Sequence, residues 1–89
     1  MDWKSSQLIF APDIAVDVLL PDDLAVEVHR KALQYIAAGS EEVWQLDYEN
    51  GEIFVQTEAG IRLLRGEQLL ESPLLPGFSV SVNTLLATP

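Results

Sequence analysis

The stretch from Pro12 to Gly39, PDIAVDVLLPDDLAVEVHRKALQYIAAG, decides how this chain is read. Ile14 to Leu20 is a β-branched and aliphatic run bounded by Pro12 and Pro21, and so a strand with fixed ends, expected to be central in its sheet. Asp22 or Asp23 is placed to cap a following helix, in which Leu24, Val28, Ala32, Tyr35 and Ile36 recur at three- and four-residue intervals, and Gly39 stands where a helix ends. Asp17 interrupts the strand with a charge. Burying an ionised carboxylate costs several kcal/mol unless a cation, a metal or hydrogen bonds meet it, so Asp17 is either paired or has a task.

Outward from that stretch, Glu42 to Asp47 (EVWQLD) reads as a second strand. The first 47 residues therefore hold a βαβ unit, with parallel strands and a right-handed crossover. Asn50-Gly51 then signals a two-residue turn that folds EVWQLDY onto EIFVQT, and Ala59-Gly60 turns into IRLLR, giving an antiparallel meander. The tail from Gln68 carries proline breaks at Pro73 and Pro76 and a last helical turn after Ser81. The expected fold class is α/β (α+β), one domain over residues 1–89: an N-terminal extension (1–11), the βαβ unit (12–47), the hairpin and meander (48–66) and a C-terminal tail (67–89).

Composition limits the function. The 89 residues are 48% hydrophobic, which suits one folded domain with a thin core. No segment reaches the roughly 18–20 apolar residues of a membrane span, and MDWKSSQ is unlike a signal peptide, so a cytoplasmic protein with no membrane partner is expected. There is no cysteine, hence no disulfide and no thiolate metal site. Fourteen acidic against five basic residues give a net charge of -9, which repels phosphates and disfavours unaided DNA binding.

The ordered set PDIAVDVLLP, KALQYIAAG, EEVWQLD and LLESPLLPGFSV resembles the C-terminal half of the Uma-type putative restriction endonuclease family, a bacterial branch of the PD-(D/E)XK nuclease superfamily. The resemblance runs from Pro12 to Leu86. It implies a truncated restriction-endonuclease-like core and a metal-dependent phosphodiesterase ancestry, with Mg or Mn as cofactor if the chain is active. It places Asp17 at the position of the metal-binding strand acid and Lys31 at that of the catalytic lysine. Asp17 replaces the family's usual glutamate, Leu20 its usual serine, and only eleven residues precede Pro12 where family members carry an upstream metal-binding aspartate.

Asp13 does not substitute for that aspartate, because it lies on the face of Asp17 but roughly 13 Å away along the strand, whereas magnesium–oxygen bonds are about 2.1 Å. Gln7 to Phe10 could pair as a neighbouring strand but holds no acid. Each candidate also has a structural role to set beside the chemical one. Asp17 is expected to pair with Arg30 or Lys31, and Lys31 alternatively with Glu27 one helical turn earlier. His29, the only histidine, reads as a solvated helix residue, and Asp13 as a turn or capping residue. Trp44, Tyr35, Phe54 and Phe78 read as core, and Arg62 and Arg65, at odd spacing on a strand, as lying on opposite faces.

The expected function is that of a nuclease-like domain without independent activity, whose first strand exposes an edge and assembles as a homodimer or with a complementing N-terminal fragment. A DNA endonuclease with its site completed across a dimer, and an acidic protein-interaction module, are the alternatives.

Overall fold

In the computed structural model, residues 13–87 are described. The element order is β1 (Ile14–Val18), α1 (Ala25–Ala37), β2 (Glu42–Asp47), β3 (Glu52–Thr57), β4 (Gly60–Arg65), β5 (Leu69–Glu71), β6 (Ser79–Ser81) and α2 (Val82–Leu86). One sheet has the order β1-β2-β3-β4, with β1 and β2 parallel and the remaining pairs antiparallel; β5 and β6 form a separate two-stranded ribbon.

The βαβ unit and the meander thus stand as the sequence predicts, with local corrections. The first strand ends at Val18, not Leu20: Leu19 still donates its N–H to the Leu46 carbonyl, but the chain then turns, with the Asp23 N–H bonded to the Leu20 carbonyl. Neither Asp22 nor Asp23 caps α1. The cap position is Leu24, without a side-chain bond, because the Asp23 carboxylate accepts the Leu20 N–H at 2.8 Å and closes the preceding turn instead. The Asn50-Gly51 hairpin has a four-residue loop, since Asp47 and Glu52 are the last paired residues. The Asp47 carboxylate accepts from the Asn50 N–H and side-chain amide, and Gly51 supplies the left-handed conformation at φ 67°. The strand expected to be central is, among the described residues, the edge of the sheet.

Side-chain alternation divides the sheet into two faces. On one lie Trp44, Leu46, Ile53, Val55 and Leu64, covered by Leu70 of the ribbon and Val82 of α2; this is the larger core. On the other, Ala15 and Val43 meet Ala32 of α1, with Tyr35 and Ile36 at the margin. Ser81 caps α2 as expected, its Oγ accepting the Thr84 N–H at 3.1 Å. Phe78, expected in the core, is 36% exposed and instead stacks on the buried Trp44 ring, with centroids 5.8 Å apart.

A Cβ at Gly51 would meet no neighbour within 4 Å, so Gly51→Ala tests the backbone alone. The expected loss is about 1 kcal/mol, read as a lower urea midpoint at unchanged slope.

Candidate functional site

The two residues singled out by resemblance are brought together. Odd-numbered residues of β1 face α1, and Asp17 is 8% exposed there. Lys31, on the sheet-facing side of the helix, places Nζ 3.3 Å from Asp17 Oδ1. Of the two cations weighed for Asp17, the structure selects Lys31. Arg30 turns outward and pairs with Glu27, so the expected Glu27–Lys31 pair does not form. The physical reason is burial: the Asp17 carboxylate lacks solvent and needs a cation, whereas Glu27 sits at the surface.

Gln45 completes the arrangement. It lies opposite Asp17 in the β1–β2 register, is 1% exposed, and its Nε2 donates to the Val28 carbonyl of α1 at 2.8 Å. Sequence reading assigns it no role, since an amide within a strand that also carries Glu42 and Asp47 does not stand out until the helix above it is placed. A second buried carboxylate was also missed. Glu42, at the start of β2 on the opposite face, accepts from Trp44 Nε1 at 2.8 Å and from Ser72 Oγ at 2.9 Å. It joins the sheet to the loop after β5. The remaining candidates do not converge on Asp17. His29 is exposed as expected, Asp13 is exposed with its main-chain carbonyl accepting from Glu41 and Glu42, and Arg65 pairs with Glu52 on the face opposite to Arg62.

A cavity of about 310 Å³ beside the pair is lined by Asp17, Asp23, Glu27, Arg30, Lys31 and neighbours. Three carboxylates therefore border one space, which raises the question of whether Mg or Mn fits. Each is already engaged: Asp17 by the Lys31 ammonium, Asp23 by the Leu20 N–H, Glu27 by the Arg30 guanidinium. Among the described residues no three His, Cys, Asp or Glu side chains come together as a metal-binding group. A hard divalent cation needs several oxygen ligands at one point, and the described residues by themselves do not provide them. The Gln7 to Phe10 stretch, weighed above as a neighbouring strand, lies outside the described residues.

A parallel βαβ unit running into an antiparallel meander, with an acid on its first strand and a lysine on its helix, defines an α/β nuclease-like fold. The comparisons agree. The chain belongs to the Uma2 family, described as putative restriction endonuclease, whose profile matches residues 4–83. It is similar in fold to the crystal structure of a putative nuclease belonging to DUF820 from Anabaena variabilis ATCC 29413, with a TM-score of 0.78 and 21% identity. That match covers 89% of this chain and 46% of the other, so the chain spans about half the length of its solved relative. No curated protein matches. No helix among the described residues is long and apolar enough to cross a membrane.

Two substitutions separate the partners of the ion pair. Lys31→Met strands a buried carboxylate and is expected to cost up to about 3 kcal/mol, whereas Asp17→Asn leaves an ammonium that can reach water along its flexible stem and costs about 1 kcal/mol. Urea unfolding of both variants checks the inequality. Ser72→Ala removes one donor to Glu42, and a loss of about 1–3 kcal/mol is expected in the same assay.

Proposed function

We propose that this chain is a nuclease-family domain without nuclease activity of its own, in which Asp17 and Lys31 fasten the helix to the sheet and which assembles through the edge of β1 that no described strand covers. The observation that carries this reading is the engagement of Asp17 by Lys31. A buried acid that keeps a half-buried ammonium at 3.3 Å has its charge met locally, and the two acids that line the same cavity are bonded elsewhere. DNA binding has little support from a net charge of -9, since each phosphate contact requires a cation and five basic residues serve the whole chain.

Assembly is supported by the surface of β1. Val16 is 54% and Val18 50% exposed, although they share a face with buried Trp44 and Leu46, and no described strand pairs with the outer side of β1. An uncovered apolar edge strand is a template for another chain. The partner is a second copy or a complementing segment supplied separately.

Plasmid nicking in manganese by the purified protein, run beside Asp17→Asn, tests the absence of activity. No cleavage, or equal cleavage by both proteins, is expected. Cleavage abolished by the substitution would mean that assembly completes a metal site around Asp17 and would overturn the reading.

A further inference from the structure

The loop between β2 and β3 holds an asparagine followed by a glycine, Asn50-Gly51, in a chain whose only other asparagine is Asn83. An asparagine side chain is open to attack by the main-chain nitrogen of the residue that follows it. The reaction needs a following residue with no Cβ in the way, a main-chain N–H not engaged elsewhere, and a side-chain amide free to swing forward. Gly51 meets the first two conditions. Its φ is 67°, even an added Cβ would meet nothing within 4 Å, and no described residue accepts its N–H. Asn83 meets neither, because the β-branched Thr84 follows it and gives its N–H to Ser81 Oγ at 3.1 Å.

The third condition is controlled by Asp47. Its carboxylate accepts the Asn50 main-chain N–H on Oδ1 at 3.1 Å and Asn50 Nδ2 on Oδ2 at 2.9 Å. Two bonds from one residue to one carboxylate fold the side-chain amide back toward the N-terminal side of Asn50, whereas the Gly51 nitrogen lies on the C-terminal side. Attack therefore requires Nδ2 to leave Asp47 first.

We infer that Asn50 is a site of spontaneous main-chain modification, and that the Asp47 carboxylate is the clamp that sets its rate in the folded protein. The Gly51 nitrogen bonds to Asn50 Cγ, the Cγ–Nδ2 bond breaks, and the proton from Gly51 leaves with Nδ2 as ammonia. The product is a cyclic imide. Water then adds across one of its two C–N bonds. Opening at Cγ gives aspartate at position 50; opening at the main-chain carbonyl gives isoaspartate, with the chain running through the side-chain carbon. No electrons are exchanged, and water is the only co-reactant. Either product replaces the donor that Asp47 holds by a second carboxylate, in a loop that already carries Asp47, Glu49 and Glu52. The new charge arises at the rim of a cavity of about 320 Å³ lined by His29 of α1, Gln45 and Asp47 of β2, Asn50, Phe54 of β3 and neighbours.

Peptide mass mapping of the folded chain during incubation in mildly alkaline buffer, with enzymatic methylation to count isoaspartate, tests the inference. The Asn50 peptide is expected to gain the mass difference between an amide and an acid, faster as the pH rises because the attacking nitrogen must lose its proton, while the Asn83 peptide stays unchanged. Asp47→Ala, checked for its fold by circular dichroism, is expected to convert about fivefold faster, the population ratio that one ordinary side-chain hydrogen bond maintains. Asp47→Asn keeps one acceptor oxygen for two donors and should fall between, and it carries the comparison if alanine disturbs the hairpin. In urea the parent chain and both variants should converge on one rate, faster than that of the folded parent. Gly51→Ala should slow the reaction in urea, where its effect on the hairpin no longer counts.

Equal rates for the folded parent and both folded Asp47 variants, equal rates for the folded and the urea-unfolded parent, or modification of Asn83 ahead of Asn50 would overturn the proposal. So would an Asn50 peptide that stays intact in the folded Asp47 variants while it converts in urea.

Discussion

The docking of α1 onto β1 and β2 is the constraint on which the rest of the molecule depends, and polar contacts carry much of it. Parallel strands require a crossover element, and that element must bury a face against the sheet to stay in place. The apolar contribution here is small: Ala15, Ala32 and Val43 are the fully buried residues, with Tyr35 and Ile36 at the margin. Two polar ties supplement it, one from each strand. Lys31 reaches down to Asp17 on β1, and Gln45 on β2 reaches up to the Val28 carbonyl. A helix with so narrow an apolar face would otherwise be weakly fixed in rotation and height. The acid that resemblance marks as catalytic is thus part of what makes the βαβ unit hold.

The opposite face is organised differently. Seven buried apolar residues form its core, and the covering layer is short: a ribbon of two three-residue strands and a five-residue helix. Such elements are too short to stand alone. They are fastened where Leu70 and Val82 enter the core, where Phe78 stacks on Trp44, and where Ser72 bonds the buried Glu42. Both buried carboxylates of the sheet, Asp17 and Glu42, therefore serve attachment, one holding the helix and the other the C-terminal layer. In each case a neighbouring donor meets the desolvated charge, as an interior carboxylate requires.

This division explains what could be read from the sequence. Strands β2 and β3, the meander, the parallel βαβ unit and the Ser81 cap rest on local signals: alternation, turn residues, a capping hydroxyl. They appear where those signals put them. The β5–β6 ribbon was not legible, because its three-residue strands carry no periodicity and pair across the two prolines, Pro73 and Pro76. Asp22 and Asp23 looked like caps because either could accept an amide; the competing turn at Leu20 took Asp23. Asp17 and Lys31 were legible as a pair, since a charge inside an apolar strand demands a partner from the element packed on it. Gln45 was not, because an amide in a strand signals nothing until the helix above it is known. Phe78 misled by composition: an aromatic residue near the chain end can lie over a buried ring and still face water.

One strand carries both the candidate chemistry and the candidate interface, and strand geometry keeps them apart. Odd positions of β1 send side chains to α1 and main-chain groups to β2; even positions send side chains to the apolar face and main-chain groups to the side that no described strand covers. Asp17 can be tied to Lys31 while Val16, its neighbour in sequence, is 54% exposed and turns its main-chain groups away from β2. Whatever the odd positions carry therefore places no demand on the even ones. Conversely, pairing at the edge need not disturb the ion pair, because the hydrogen bonds it uses are ones that β2 never receives. The solved relative is about twice as long as this chain and shares its fold over most of this chain's length. Among the described residues the sheet ends at β1, and the helix anchor on its odd positions is complete without any contribution from the side that no described strand covers.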